Sequence, residues 1–140
     1  MSAYQTQAKQ YQTNELENKI LNATPHEVIS LLLAGAKKNI ARIKLCIENK
    51  KVDVKGDLVS KTISIVSELK RALNLEAGGE IAENLDRIYD YILRELLQAH
   101  VKNDLEKFDE IYGLLNTISE GWDGMKTKEM PAANDSSASK

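Results

Sequence analysis

The chain has 140 residues, which is enough for one domain with a single hydrophobic core. Its composition, 42% hydrophobic and 29% charged, is typical of soluble globular proteins, and a formal net charge of −2 gives no global field that would attract nucleic acid or a membrane. The start of the chain lacks the apolar segment of a secretory signal, and no run approaches the ~18 apolar residues of a membrane span. We therefore expect a cytosolic protein with neither membrane insertion nor nucleic-acid binding.

The first 22 residues are polar and rich in glutamine and asparagine. Their sparse apolar side chains offer too little surface to hold a helix firmly. These apolar residues are Tyr4, Tyr11, Leu16, Ile20 and Leu21. We expect residues 1–22 to form a mobile, partly helical arm that docks weakly on the rest of the protein.

Four segments after the arm carry apolar residues at three- and four-residue spacings, the pattern of amphipathic helices. The predicted helices cover about residues 24–49, 57–75, 80–101 and 103–125. Thr24 and Asn103 are predicted N-caps, and each is followed three residues later by the glutamate of a capping box. Gly78 and Gly79 are expected to end the second helix, because glycine tolerates the left-handed backbone found at helix ends.

One apolar stripe on each helix is predicted to face a common core. The stripes comprise Val28, Ile29, Leu32, Leu33, Ala36, Ile40, Ile43 and Ile47; Leu58, Thr62, Ile65, Val66, Leu69, Ala72 and Leu73; Ile81, Leu85, Ile88, Tyr89, Ile92, Leu96 and Ala99; and Phe108, Ile111, Leu115, Ile118, Trp122 and Met125. Because short connections make successive helices alternate in direction, the predicted fold is all-α, an antiparallel up-and-down four-helix bundle over residues 23–125.

Residues 126–140 are small, polar and proline-containing, and we expect a disordered tail.

Few side chains of this sequence are of the types that carry out catalysis or bind metals. His26 is expected at the surface or in a capping role, Cys46 as a buried inert thiol, and the basic run from Lys37 to Lys55 as a solvated helix face. Glu-x-x-His, CxxC, Walker and Rossmann patterns are absent, so we expect no enzyme, no metal and no cofactor. His100 leaves a histidine phosphotransfer module open as an alternative, although the lysine and glycine that usually accompany such a histidine are missing.

Several apolar side chains lie outside the predicted core stripes when residues are placed at 100° intervals around each helix. They are Leu31, Leu45, Ile63, Tyr91, Leu97, Val101, Leu105 and Leu114, of which Leu31, Leu45, Ile63, Tyr91 and Leu97 are the predicted partner-binding residues. We expect them to form grooves for an amphipathic partner helix, which the arm residues Tyr11, Ile20 and Leu21 could cover until the partner arrives. Two other readings stay open, since single surface leucines are normal and the same residues would suit a self-associating structural protein.

The most specific pattern of the chain surrounds the double glycine. Gly78-Gly79-Glu80-Ile81-Ala82, Asn84-Leu85 and Tyr89-Asp90-Tyr91 resemble the central corner of the FliS family. Further similarities are Thr24-Pro25-His26-Glu27-Val28, Ile65-Val66-Ser67-Glu68-Leu69 and Tyr11, which stands where the family has its arm tyrosine. The resemblance extends from Tyr11 to about Trp122, and it departs at Leu33-Ala34, where the family often has a polar tyrosine–aspartate pair.

This resemblance implies a four-helix bundle that acts as a cytosolic export chaperone. Its partner would be the disordered C-terminal segment of flagellin, which wraps the bundle and docks apolar residues in grooves. Binding would prevent premature polymerisation and support delivery to the flagellar type III export apparatus. The resemblance also leaves room for binding to other flagellar export or regulatory proteins.

Overall fold

The computed structural model describes residues 16–125, and these residues form an all-α structure. The main helices are α1 (Pro25–Glu48), α2 (Val52–Arg71), α3 (Leu75–Lys102) and α4 (Leu105–Asp123), and residues 16–21 are also helical. None of the helices in this described part is long and apolar enough to cross a membrane. The predictions for Tyr11 and for the tail at residues 126–140 lie outside the described residues.

Ion pairs between neighbouring helices establish the directions of the four main helices. Lys44, near the end of α1, pairs with Asp109, near the start of α4. Lys70, near the end of α2, pairs with Asp86, near the start of α3, at 2.9 Å. Each helix therefore runs antiparallel to its neighbours, and α1 and α3 both pack against α2 and α4. This arrangement confirms the predicted up-and-down bundle.

The start of α1 has the predicted capping box. Thr24 Oγ1 accepts a hydrogen bond from the backbone N–H of Glu27 at 3.2 Å, and Glu27 Oε1 accepts one from the backbone N–H of Thr24 at 2.9 Å. Pro25 occupies the first turn, where its missing N–H costs no intrahelical bond. The contacts satisfy backbone donors that a helix start otherwise leaves unpaired, and they confirm this predicted boundary.

The corner between α2 and α3 differs from the predicted single stop at the double glycine. α2 ends at Arg71, and Asn74 Oδ1 accepts a hydrogen bond from the backbone N–H of Ala77 at 3.0 Å, so Asn74 caps a new turn ahead of the glycines. Gly79 then interrupts α3 with φ 55° and ψ −136°, a backbone that residues with a Cβ avoid. An asparagine cap therefore restarts the helix earlier than predicted, and the glycine bends the chain inside α3.

Two other boundaries also differ from the prediction. Asn103, predicted to cap the fourth helix, instead ends α3 with a left-handed φ of 51°, which asparagine tolerates better than most residues. Asp104 caps α4, since its carboxylate accepts a hydrogen bond from the backbone N–H of Lys107 at 3.1 Å. The predicted connection at residues 50–56 is shorter, because Lys50 turns the chain with φ 57° and α2 begins at Val52.

The predicted stripes form most of the core. Fully enclosed members are Leu33, Ala36, Ile40, Ile43, Thr62, Val66, Ile92, Leu96, Phe108, Ile111 and Leu115. Cys46 is buried with a free thiol, as predicted. Ile81 was predicted to be inward but is 55% exposed, because it lines an open apolar cavity. Gly121 of α4 also lines this cavity and has no side chain that could cover Ile81. Lys55, interpreted as solvated, is buried.

Candidate functional site

Ile63 of α2 and Leu97 of α3 lie on the flank shared by these two helices. Ion pairs locate this flank, since Lys70 Nζ contacts Asp86 at 2.9 Å and Asp90 at 3.5 Å. Residues seven apart share a helix face, with a drift of only about 20°. Ile63 therefore lies on the same face of α2 as Lys70, and Leu97 on the same face of α3 as Asp90.

Lys55 closes the other end of this flank. Its Nζ donates a hydrogen bond to the carbonyl oxygen of His100 at 2.8 Å and another to Asn103 Oδ1, so the cation caps the carbonyl end of α3. Burial lowers the pKa of the Lys55 ammonium below its ordinary value. Lys55 and Lys70 are separated by ~22 Å of helix at 1.5 Å per residue.

Between these polar ends the flank carries four apolar side chains and a glycine, and we call this apolar strip the α2–α3 groove, defined by Gly56, Ile63, Leu93, Leu97 and Val101. Ile63 and Leu93 are half-buried and pack against the core, so they form its floor. Leu97 and Val101 are 57% and 80% exposed and form one wall. Gly56 leaves space, since a Cβ at this position would meet nothing within 4 Å.

Leu93 was missed at the sequence level, although a signal for it exists. It lies seven residues after Asp86 and seven before His100, and both of these residues are close to α2 through their contacts with Lys70 and Lys55. Helical phase gives the side of a helix on which a residue lies, but it does not say which neighbouring helix packs against that side. The cross-helix contacts supply this missing information.

The described part of the arm lies beside α1 and α2. A Cβ built on Gly35 would be 3.5 Å from Ile65 Cδ1 and 3.8 Å from Leu16 Cδ2, so Leu16 reaches the flank between these helices. Ile20 packs against the core, whereas Leu21 is 80% exposed. Residues 16–21 therefore place one predicted partner-binding side chain inward and the other outward.

Two predicted residues of α1 lie apart from the α2–α3 groove. Leu31 is half-buried and lines a shallow depression together with Asn18 and Asn22 of the preceding segment. Leu45 is 57% exposed, on the side of α1 opposite its core stripe, as its helical phase predicted.

Tyr91 lies on the flank between α3 and α4, within a polar network. Its hydroxyl donates to Glu110 Oε2 at 2.7 Å and accepts from Lys107 Nζ at 3.1 Å. Lys107 also contacts Glu95 at 3.3 Å. Hydrogen bonds with Glu110 and Tyr91 raise the pKa of Lys107, and hydrogen bonds with Lys107 and Tyr91 lower the pKa of Glu110. Among the predicted partner-binding residues that are described, only Ile63 and Leu97 share the α2–α3 groove.

The first turn of α1 and the last turn of α4 are joined by His26 and Trp122. Their rings stack with centroids 5.2 Å apart and an interplanar angle of 12°. His26 Nε2–H donates to the carbonyl oxygen of Trp122 at 3.1 Å, and Trp122 Nε1–H donates to the carbonyl oxygen of His26 at the same distance. The expected surface or capping role of His26 was wrong, because its half-buried ring connects two helices.

An apolar concavity, which we call the terminal cavity, lies at this end of the bundle. Its volume is about 190 Å³. It is lined by Ile29, Leu69, Ala72, Leu73, Ile81, Leu85, Tyr89, Thr117, Ile118, Gly121, Trp122 and Met125. The start of α3 and the end of α4 supply most of this lining.

His100 does not have the setting of a phosphotransfer histidine, which is an exposed residue in the middle of a helix. It lies in the last turn of α3, and its Nδ1 is buried without a hydrogen-bond partner in the described part of the chain. Burial, and secondly the nearby charge of Lys55, lower the pKa of its imidazole. Within residues 16–125, no group of His, Cys, Asp and Glu side chains could hold a metal ion.

Residues 7–129 match a family model described as Flagellar protein FliS. The chain is similar to the flagellar secretion chaperone FliS of Salmonella typhimurium, with 40% identity over 121 residues that cover 86% of this chain and 90% of that protein. It is also 39% identical over 117 residues to the flagellar secretion chaperone FliSB of Pseudomonas aeruginosa, and the match covers 84% of this chain and 93% of that protein. The flagellar secretion chaperone FliS of Bacillus subtilis is 31% identical over 106 residues, and the match covers 76% of this chain and 78% of that protein. The chain therefore belongs to the FliS family, as the pattern around its double glycine predicted.

Proposed function

We propose that this protein is a cytosolic export chaperone for flagellin. It binds the C-terminal segment of flagellin, prevents premature polymerisation and supports delivery to the flagellar type III export apparatus. Membership of the FliS family supports the chaperone role, because curated relatives are named flagellar secretion chaperones. The observation that carries the client-binding site is the α2–α3 groove, an exposed apolar surface between two polar ends.

The length and apolar character of the α2–α3 groove suit an amphipathic helix as its occupant. A length of ~22 Å accommodates about four helical turns at 5.4 Å each. Client side chains spaced three and four residues apart would pack on Leu97 and Val101 and reach the floor at Ile63 and Leu93. The charged groups at Lys70 and its partners would lie beside the polar face of the client helix.

A single groove does not account for the whole interaction. A disordered client loses conformational entropy when it folds on binding, and this typically costs 2–5 kcal/mol or more. Full burial of one leucine-sized side chain contributes about 1.5–3 kcal/mol, so the client needs several apolar contacts. The separate positions of Leu31, Leu45 and Tyr91 suit a segment that wraps the bundle. Displacement of residues 16–21, which carry Ile20 and Leu21, would open the depression beside Leu31, because Asn18 supplies part of its lining.

Leu97→Asp tests the groove directly, and Leu45→Asp is its matched comparison at a proposed contact on another helix. Both leucines are 57% exposed on long helices, so each substitution should leave the helicity measured by circular dichroism unchanged. Leu97→Asp should weaken binding of a flagellin C-terminal peptide at least tenfold, since it removes an apolar contact and places a charge in the groove. Leu45→Asp should weaken binding less than threefold, because Leu45 lies outside the groove and supplies one peripheral contact of the wrapped segment.

Titration calorimetry with the same peptide measures both affinities. Near-native affinity of the folded Leu97→Asp variant would contradict the groove assignment. An equal loss in both variants would move the main site to a surface that includes α1. Failure of the unmodified protein to bind the peptide would contradict flagellin as the client.

A further inference from the structure

The terminal cavity is an apolar site that the α2–α3 groove does not use. Ile81 lies at this cavity and is 55% exposed, which is unusual for an isoleucine in phase with a core stripe. The lining residue Gly121 contributes no side chain, and a Cβ there would meet nothing within 4 Å. The cavity therefore has an open side between the start of α3 and the end of α4, with apolar surface left uncovered by residues 16–125.

The polypeptide leaves the described structure at the edge of this cavity. Met125 is the last described residue, and its side chain is part of the lining. Another 15 residues follow, from Lys126 to Lys140. The family match ends at residue 129, so most of this segment lies beyond the part shared with the family model.

The composition of this segment singles out one side chain. Met130 is the only large apolar residue between Lys126 and Lys140, and it is followed by Pro131 and two alanines. Methionine is unbranched and flexible, so it adapts well to an irregular apolar space. Met130 is five positions after Met125, and an extended chain of five steps spans at most ~17 Å. Met130 is therefore within reach of the cavity that Met125 lines.

Charges around the cavity match those of the segment. Glu80 and Glu83 are exposed in the turns of α3 that carry Ile81, and the first basic residue after the double glycine is Arg87. The segment carries Lys126 and Lys128 ahead of Met130, and with the intervening Glu129 its net charge up to Met130 is +1. Opposite charges on the two sides favour the approach of this segment to the start of α3.

We propose that residues 126–133 of this chain dock on its own terminal cavity. Met130 fills the cavity and covers Ile81, while Lys126 and Lys128 lie over Glu80 and Glu83. The occupant is thus a segment of the same molecule, which shields apolar surface at the end of the bundle opposite to Lys55. The inference concerns the chain alone and does not depend on flagellin as the client.

Disulfide formation in the full chain tests this proposal. Met130→Cys is combined with Ile81→Cys in a Cys46→Ala background, which removes the single native thiol. The matched control combines Met130→Cys with Glu120→Cys, because Glu120 is exposed on α4, next to Gly121, and lies outside the cavity lining. Glutathione redox buffers give the effective concentration of each thiol pair, and circular dichroism verifies that both variants are folded.

Docking predicts an effective concentration at least tenfold higher for the pair with Ile81→Cys than for the pair with Glu120→Cys, with the product running as a monomer. Equal values, or a higher value for Glu120→Cys, would overturn the proposal, because an undocked tether favours the thiol nearer in sequence. A cross-linked dimer as the main product would also overturn it and identify a second copy of the chain as the occupant. Trp122, the one tryptophan of the chain, gives an independent reading, since Met130→Glu should increase its quenching by acrylamide if Met130 covers the cavity.

Discussion

At the scale of single residues, Lys55 illustrates how a charged side chain becomes part of a protein interior. Its aliphatic stem lies in the core, and its Nζ donates to the carbonyl of His100 and to Asn103 Oδ1 at the end of α3. The carbonyl of His100 otherwise accepts only a long hydrogen bond of 3.4 Å from the backbone N–H of Asn103, so Lys55 strengthens the end of the helix. The sequence offered no sign of this arrangement, because Lys55 stands in a run of lysines whose ordinary interpretation is a solvated face.

Replacement of Lys55 by alanine should destabilise the bundle. We expect Lys55→Ala to lower the free energy of unfolding by about 1–3 kcal/mol, since it removes two hydrogen bonds from a charged donor together with a buried aliphatic stem. Lys61→Ala is the matched control on the same helix, because Lys61 forms an exposed ion pair with Asp57 at 3.3 Å and its loss should cost less than ~0.5 kcal/mol. Urea unfolding measures both values, and equal effects would contradict the capping role of Lys55.

His100 should make stability depend on pH. Its folded-state pKa lies below the ordinary value of 6.5, because burial and, to a lesser degree, Lys55 disfavour the imidazolium. The unfolded chain therefore binds the proton more readily, and the stability contributed by neutral His100 is present above pH 6.5 and is lost as pH falls through the lowered pKa.

The measurement compares urea unfolding of the unmodified protein and His100→Gln at pH 7.5 and pH 5.5. The unmodified protein should lose more stability between these conditions than the variant, whose glutamine does not titrate. Parallel losses in the two proteins would mean that His100 titrates normally in the folded state.

At the scale of elements, helix existence and phase followed from apolar spacing, whereas several boundaries did not. Asn74 caps a turn ahead of the double glycine. Asn103 ends α3, and Asp104 caps the start of α4. At each of these boundaries, neighbouring polar residues have similar propensities to end or cap a helix. The backbone conformation decides that choice, and apolar spacing does not encode it.

Gly79 and Gly113 provide a matched test of the bent start of α3. Gly79→Ala should lower the free energy of unfolding by about 1–3 kcal/mol, because its φ of 55° and ψ of −136° strain any residue with a Cβ. Gly113→Ala should raise it by about 0.5–1 kcal/mol, since this glycine is inside regular α4 and a Cβ would meet open space. Thermal and urea unfolding measure both changes. Stabilisation of the bundle by Gly79→Ala would show that the break in α3 is not required.

At the scale of the whole molecule, the bundle carries two apolar surfaces on different sides of α3. The bundle itself was predictable, because stripes at helical spacing and short connections permit few other packings. Convergence of Ile63 and Leu97 was not predictable in the same way, since it depends on which helix faces which neighbour. Tyr91 makes the same point, because its phase placed it outside the core but did not reveal its polar partners on α4.

The chaperone proposal combines this surface pattern with family membership. A protein that holds an aggregation-prone segment needs apolar surface that remains accessible while its own core stays closed. The α2–α3 groove meets this requirement, because Leu97 and Val101 are exposed although the four helices already enclose a complete core. Under this proposal the client gains structure on binding, so the interaction should bury much more apolar surface than one groove offers.

The most direct test of the central claim is calorimetric titration of the full chain with the C-terminal segment of flagellin at several temperatures. We predict one-to-one binding with a large negative heat-capacity change, the signature of a segment that folds as it binds and buries about 1,000–3,000 Å². No binding heat at any temperature, with the bundle folded by circular dichroism, would contradict the claim that this chain is a flagellin chaperone.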